Sequence, residues 1–100
     1  MNSEITTEVK ELPKEFVKFG DKFAQMGFNE QTQMYMYERV LPCGATYYEV
    51  FKRKIGHLYK SKDNGVIYPG NEDFGKWAKC CSNYESAKLY YDEGIHRGQI

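Results

Sequence analysis

Gln33-Met-Tyr-Met-Tyr-Glu-Arg-Val-Leu-Pro-Cys-Gly-Ala-Thr-Tyr-Tyr-Glu-Val-Phe-Lys-Arg-Lys-Ile55 is the stretch that decides the fold. Gln33 to Arg39 is short, rich in aromatics and free of breakers, which predicts a strand. Leu41-Pro-Cys-Gly44 supplies a turn. Thr46 to Ile55 then alternates as a second strand: Tyr48, Val50, Lys52 and Lys54 fall on one face, Tyr47, Glu49, Phe51, Arg53 and Ile55 on the other. Both faces begin apolar and end charged, so the strand is expected to leave the core partway along. The two segments read as a hairpin.

Upstream of the hairpin, residues 22–28 predict another strand, with Asn29 and Glu30 opening a turn. Leu12, Phe16 and Phe19 recur at i, i+4 and i+7, with Pro13 suited to a first helical position and Gly20 to a stop. This predicts a short helix or helical turn over 13–19. Downstream, residues 56–65 form a polar excursion closed by Asp63-Asn-Gly65, a turn signal. Val66-Ile-Tyr68 returns briefly as strand before Pro69 stops it. The segment Tyr68-Pro-Gly-Asn-Glu-Asp-Phe-Gly-Lys-Trp-Ala78 reads as a fixed corner feeding a last strand, Trp77 to Cys81. Ser82-Asn-Tyr-Glu85 fits a capping box. The helix that follows carries Tyr84, Ala87, Tyr91 and Ile95 on one stripe with Tyr90 beside it, and Gly94 can end it.

The fold expected is α+β: a three- to four-stranded antiparallel meander with one covering C-terminal helix and a short N-terminal helical turn. One domain over 12–95 is predicted, with loose ends at 1–11 and 96–100. One hundred residues sit near the lower limit for a core without staples. Nine tyrosines and six phenylalanines make that core a matter of rings. Tyrosine buries area while keeping a hydroxyl at the surface, which suits a thin core and equally suits an interface.

Lys plus Arg and Asp plus Glu balance at 14 each, so bulk charge selects no partner. The distribution is uneven: residues 52–62 carry Lys52, Arg53, Lys54, Lys60 and Lys62 with no acid. Such a segment can neutralise phosphates, with Tyr47, Tyr48 or Tyr59 stacking on bases, or it can simply keep a protruding edge soluble. The three cysteines, Cys43, Cys80 and Cys81, are odd in number and two are adjacent, a poor disulfide framework that fits a reducing compartment. The polar residues 1–10 predict no export signal, and no apolar run reaches the length of a membrane span. The expectation is therefore a cytoplasmic protein with no membrane partner.

His57 and His96 are the only histidines, and neither they nor the cysteines have chelating spacing, so no metal and no cofactor is expected. Cys80 and Cys81 should alternate, one facing the core and one outward. Glu72 and Asp73 are adjacent acids behind a Pro-Gly turn, better placed to bond backbone amides than to act as an acid/base pair. Catalytic residues are not apparent, and the chain reads as a non-enzyme. Its aromatic surplus points to a protein-interaction surface formed by Tyr35, Tyr37, Tyr47 and Tyr59. The alternative is a nucleic-acid-binding module using the 52–62 segment, and the third reading is a small-ligand sponge or an enzyme.

The order Leu12-Pro-Lys-Glu-Phe16, Tyr48-Glu-Val-Phe51, Tyr68-Pro69, Glu72-Asp-Phe-Gly75, Trp77-Ala78 and Tyr84-Glu85-x-Ala87 resembles a group of small proteins of bacteriophages and other mobile elements. The resemblance runs over about residues 12–93 and carries no assigned activity. It implies a bacterial host cytoplasm, a meander-plus-helix fold, and an accessory protein that binds a host or defence protein; apart from the resemblance, the aromatic surface equally admits a homo-oligomer. In architecture alone the chain is also similar to the Trp-Gly-Arg (WGR) nucleic-acid-interaction domain. It lacks that triplet, and Gly75-Lys-Trp77 has a different order.

Overall fold

The computed structural model describes residues 9–57 and 64–94. Its strands are β1 (Glu15–Lys18), β2 (Asp21–Asn29), β3 (Met34–Val40), β4 (Thr46–Lys52), β5 (Ile55–His57), β6 (Asn64–Val66) and β7 (Ala78–Cys81), followed by the helix α1 (Tyr84–Glu93). The main sheet is fully antiparallel in the order β1-β2-β3-β4-β7, and β5 and β6 form a separate two-stranded ribbon. Tyr35 pairs with Phe51 and Tyr37 with Glu49 across the central hairpin.

The main sheet buries both of its faces, which explains why β3 is apolar at consecutive positions instead of alternating. One face carries Phe23, Tyr35, Tyr37, Phe51 and Ala78, covered by Val9, Leu12, Tyr68, Phe74, Trp77 and Val66 of β6. Phe51 lies under Tyr68 at a centroid distance of 4.7 Å, edge to face. The other face carries Met34, Met36, Val50 and Cys81 against Ala87, Tyr90 and Tyr91 of α1. A ten-residue helix is about 15 Å long, enough to cover one end of this face. The end carrying Val17, Lys22, Val40 and Thr46 extends past it.

Several local expectations hold. The central hairpin forms, β4 ends where its faces turn charged, Cys81 is buried while Cys80 is exposed, and α1 stops at Gly94 in a left-handed conformation. Others are corrected. The sheet has five strands, and no helical turn occupies 13–19. Residues 15–18 instead form β1, and Phe19-Gly20 makes a tight turn with both residues at positive φ, 54° and 84°. The i, i+4, i+7 spacing misled because Phe16 packs on the sheet while Phe19, at 90% exposed, packs on almost nothing. The helix cap is Asn83, whose side chain accepts from the Ser86 amide at 2.8 Å, one residue later than the Ser82-Glu85 pair suggests. Val66-Ile-Tyr68 contributes only Val66 to a strand, and that strand pairs with β5, outside the main sheet.

Candidate functional site

Two tight turns lie side by side at one end of the sheet. A Cβ on Gly20 would sit 3.5 Å from the Pro42 ring, so the β1–β2 tip and the β3–β4 tip touch. Just behind them, on the ring-packed face, is a charged network. Arg39 Nε and Nη2 donate to Asp21 Oδ2 at 2.8 and 2.6 Å, and Arg39 Nη1 donates to Glu49 Oε2 at 2.9 Å. The Tyr68 hydroxyl donates to Glu49 Oε1 at 2.7 Å. The register places these groups together: Arg39 stands opposite Tyr47 and Glu49 opposite Tyr37, so Arg39 and Glu49 are diagonal neighbours on one face.

Asp21 and Glu49 are buried, at 7% and 2% exposed, and a buried carboxylate is tolerated only when paired and hydrogen-bonded. Arg39 supplies that pairing from a side chain 36% exposed. Desolvation works against the guanidinium charge, but the hydrogen bonds it donates to Asp21 and Glu49 outweigh it and hold Arg39 charged more firmly than usual. Burial, then the charge of Glu49, push the Tyr68 hydroxyl far above the ordinary tyrosine value. Both carboxylates are engaged, so the network ties β2, β3 and β4 to the Tyr68 loop.

Over this network lies a cavity of about 170 Å³ walled by Phe16, Phe23, Tyr68 and Phe74, with Lys18, Phe19 and Arg39 also lining it. Arg39 lies 5.3 Å over the Phe23 ring, whose plane is nearly parallel to that of Phe16, 4.5 Å away. Three of the five guanidinium N–H groups are used, leaving two. Phe19 lines the cavity from the turn, in a conformation that glycine or asparagine adopts more readily than phenylalanine. Lys18 Nζ sits 5.6 Å from its ring. A large ring held in solvent at a conformational cost is the feature of this end that packing does not explain.

The residues singled out in the sequence are scattered. Tyr35 and Tyr37, 4% and 0% exposed, are core residues and offer no contact surface; this corrects the interaction surface drawn from the sequence. The reason is the two-sided burial of the sheet, which draws in rings that one-sided alternation would leave half exposed. The Tyr37 hydroxyl is spent on the Pro13 carbonyl at 2.6 Å and on Gln25 at 3.0 Å, and burial pushes its ionisation well up. Tyr47 is 36% exposed, on the same face as Arg39. Tyr59, Lys60 and Lys62 lie outside the described residues.

The basic side chains of β4 and its exit diverge. Arg53 Nη2 donates to Glu11 Oε2 at 2.7 Å, Lys54 Nζ lies 4.9 Å over the Trp77 ring, and Lys52 alternates to the helix-covered face. Asp73 accepts from the Gly70 amide at 2.8 Å, as its place behind the Pro-Gly turn suggests. Among the described residues, no three His, Cys, Asp or Glu side chains are grouped to hold a metal ion, and no helix is long and apolar enough to cross a membrane. The sequence reading passed over Phe19, Asp21 and the Arg39–Glu49 pair. The available signal was Glu49 itself, an acid set between Tyr47 and Phe51 on one face.

No family model matches the chain, and no match is found among the curated proteins or the solved structures.

Proposed function

We propose that this is a non-enzymatic interaction protein, an accessory protein of a phage or mobile element that binds a host or defence protein through the turn end of its sheet. One observation carries the reading: Phe19 is 90% exposed in a left-handed backbone conformation, at the mouth of an aromatic-walled cavity. Large aromatic side chains beside arginine are the groups that most often dominate binding energy at protein interfaces. Here the ring, the half-exposed Arg39 and the cavity occupy one end.

The test is affinity capture from a bacterial lysate with the wild-type chain and with Phe19→Asn. Asparagine tolerates the same backbone, so the fold persists while the ring is lost. A discrete partner retained by the wild type and lost by the variant is expected; identical profiles would sink the proposal. The nucleic-acid reading has narrower support in the exposed Lys52 and Lys54, the latter paired with Trp77. It requires binding that weakens steeply with salt and is lost in Lys52→Glu/Lys54→Glu.

A further inference from the structure

β1 is an edge strand, and among the described residues its outer side is unpaired. Gln25 N donates to the Lys14 carbonyl at 2.7 Å, and the β1–β2 register continues from that pair. In an antiparallel ladder hydrogen-bonded pairs alternate, so Phe16 and Lys18 bond inward to β2. The N–H and C=O groups of Glu15 and Val17 therefore point away from the sheet. Val17 is 66% exposed on the sheet face that α1 leaves open. Nothing among the described residues covers this edge.

From this edge we infer that a second copy of the chain pairs with it, β1 against β1, joining two five-stranded sheets into one. A two-fold axis normal to the sheet keeps each face continuous and sets outward-pointing residues opposite one another. It centres the pairing on a single residue. Centred on Glu15 it opposes two glutamates, centred on Phe16 it twice opposes Lys14 to Lys18, and centred on Lys18 it opposes two lysines; like charges directly opposite destabilise a ladder. Centred on Val17 it opposes no like charges.

In that register Val17 meets its own copy on the open face. On the other face each Phe16 stands opposite Lys18 of the second copy, a ring beside an ammonium. Each Glu15 falls opposite the turn residue Phe19. The two Val17 residues exchange both of their backbone hydrogen bonds. An edge of this kind is normally blunted by charge; here the charges of β1 reject three registers and admit one. The inference does not rest on the host-protein reading: it needs only the backbone edge of β1 and Val17, which does not line the cavity, although Phe16, Lys18 and Phe19 serve both.

The experiment is sedimentation over a range of concentrations, joined to cross-linking in a background with the exposed Cys43 and Cys80 replaced by serine. Val17→Cys brings two thiols within the reach of a disulfide, whereas Lys22→Cys, one strand further in, holds them three strand spacings apart, about 14 Å. The expected result is a mass that doubles with concentration, a covalent dimer for Val17→Cys alone, and a monomer for Val17→Glu, which opposes two carboxylates at the axis. A chain that stays monomeric throughout, a dimer untouched by Val17→Glu, or equal cross-linking at both positions would each overturn the proposal. Affinity capture by Phe19 is read separately, so either idea can fail alone.

Discussion

The Thr32 hydroxyl donates a 2.7 Å hydrogen bond to the carbonyl oxygen of Tyr91, and Asn29 Nδ2 reaches the same oxygen at 3.2 Å. The β2–β3 turn thus grips the last turn of α1, where helix carbonyls lack partners of their own. Opposite this clasp, Gly27 gives Tyr91 its place: a Cβ there would lie 2.6 Å from the Tyr91 hydroxyl oxygen. The short helix is held by its far end as much as by its buried Ala87.

Gly27→Ala should therefore destabilise the protein by about 1–3 kcal/mol through overpacking. Tyr91→Phe removes the atom that collides and should recover part of that loss. Denaturant titration of the two single variants and the double variant measures the coupling; additive effects would show that the Gly27–Tyr91 contact is not the cause. Thr32→Val should cost on the order of 1 kcal/mol and lower amide-exchange protection in α1 ahead of the sheet.

Arg39→Leu should be among the most damaging single changes, because it strands Asp21 and Glu49 without a counter-charge. Removing one partner of a buried pair costs roughly 3–5 kcal/mol, and the partial exposure of Arg39 places this case at or below the lower end. Urea titration of the variant beside the wild type would read the loss. Breaking the exposed Arg53–Glu11 pair should change stability by less than about 1 kcal/mol.

Alkaline pH offers a third check. Burial raises the ionisation of Tyr37 and Tyr68, and burial raises both the Cys80 and Cys81 thiols, Glu49 adding to the shift of Cys80. Each is a group whose folded value lies above its unfolded value. The stability linked to it is fully present below the unfolded value and is lost as pH rises towards the folded one. Absorbance near 295 nm should show Tyr37 and Tyr68 ionising only as the chain unfolds. Ionisation of these two in the still-folded protein would contradict the buried network.

Phe19→Asn should make the protein more stable, by about 0.5–1 kcal/mol, because asparagine accepts the left-handed conformation at lower cost and no buried ring is lost. A residue whose replacement stabilises the fold while abolishing capture of a partner would be one retained for binding. Thermal denaturation of the pair, read beside the capture experiment, decides this.

Strand positions were legible wherever the chain is locally consistent. The Gln33–Ile55 hairpin, the turn at Asn29 and the stop at Gly94 follow from breakers and ring-rich runs. β1 was not legible, because Leu12 and Phe16 satisfy a helical spacing and a sheet-packing arrangement equally well; only the packing partners distinguish them. Tyr35 and Tyr37 were misplaced for a related reason. Alternation marks which face a residue joins, and whether that face is covered depends on segments far away in sequence, here Tyr68 to Trp77. The charged network needed the register itself, since Arg39 and Glu49 meet only once the hairpin pairing is fixed.

The main sheet follows chain order but skips two strands, with β7 joining β4 only after the excursion through β5, β6 and the Tyr68 corner. On a ribosome, the first four strands emerge and can pair by local turns while Tyr35, Tyr37 and Phe51 still face water. The residues that complete their cover, Val66, Tyr68, Phe74 and Trp77, arrive about fifteen to twenty-five residues after β4, and the strand that seals the β4 edge follows directly. A nascent meander of this sort is sticky for the interval between the two, so how quickly the second half follows the first bears directly on the yield of folded protein.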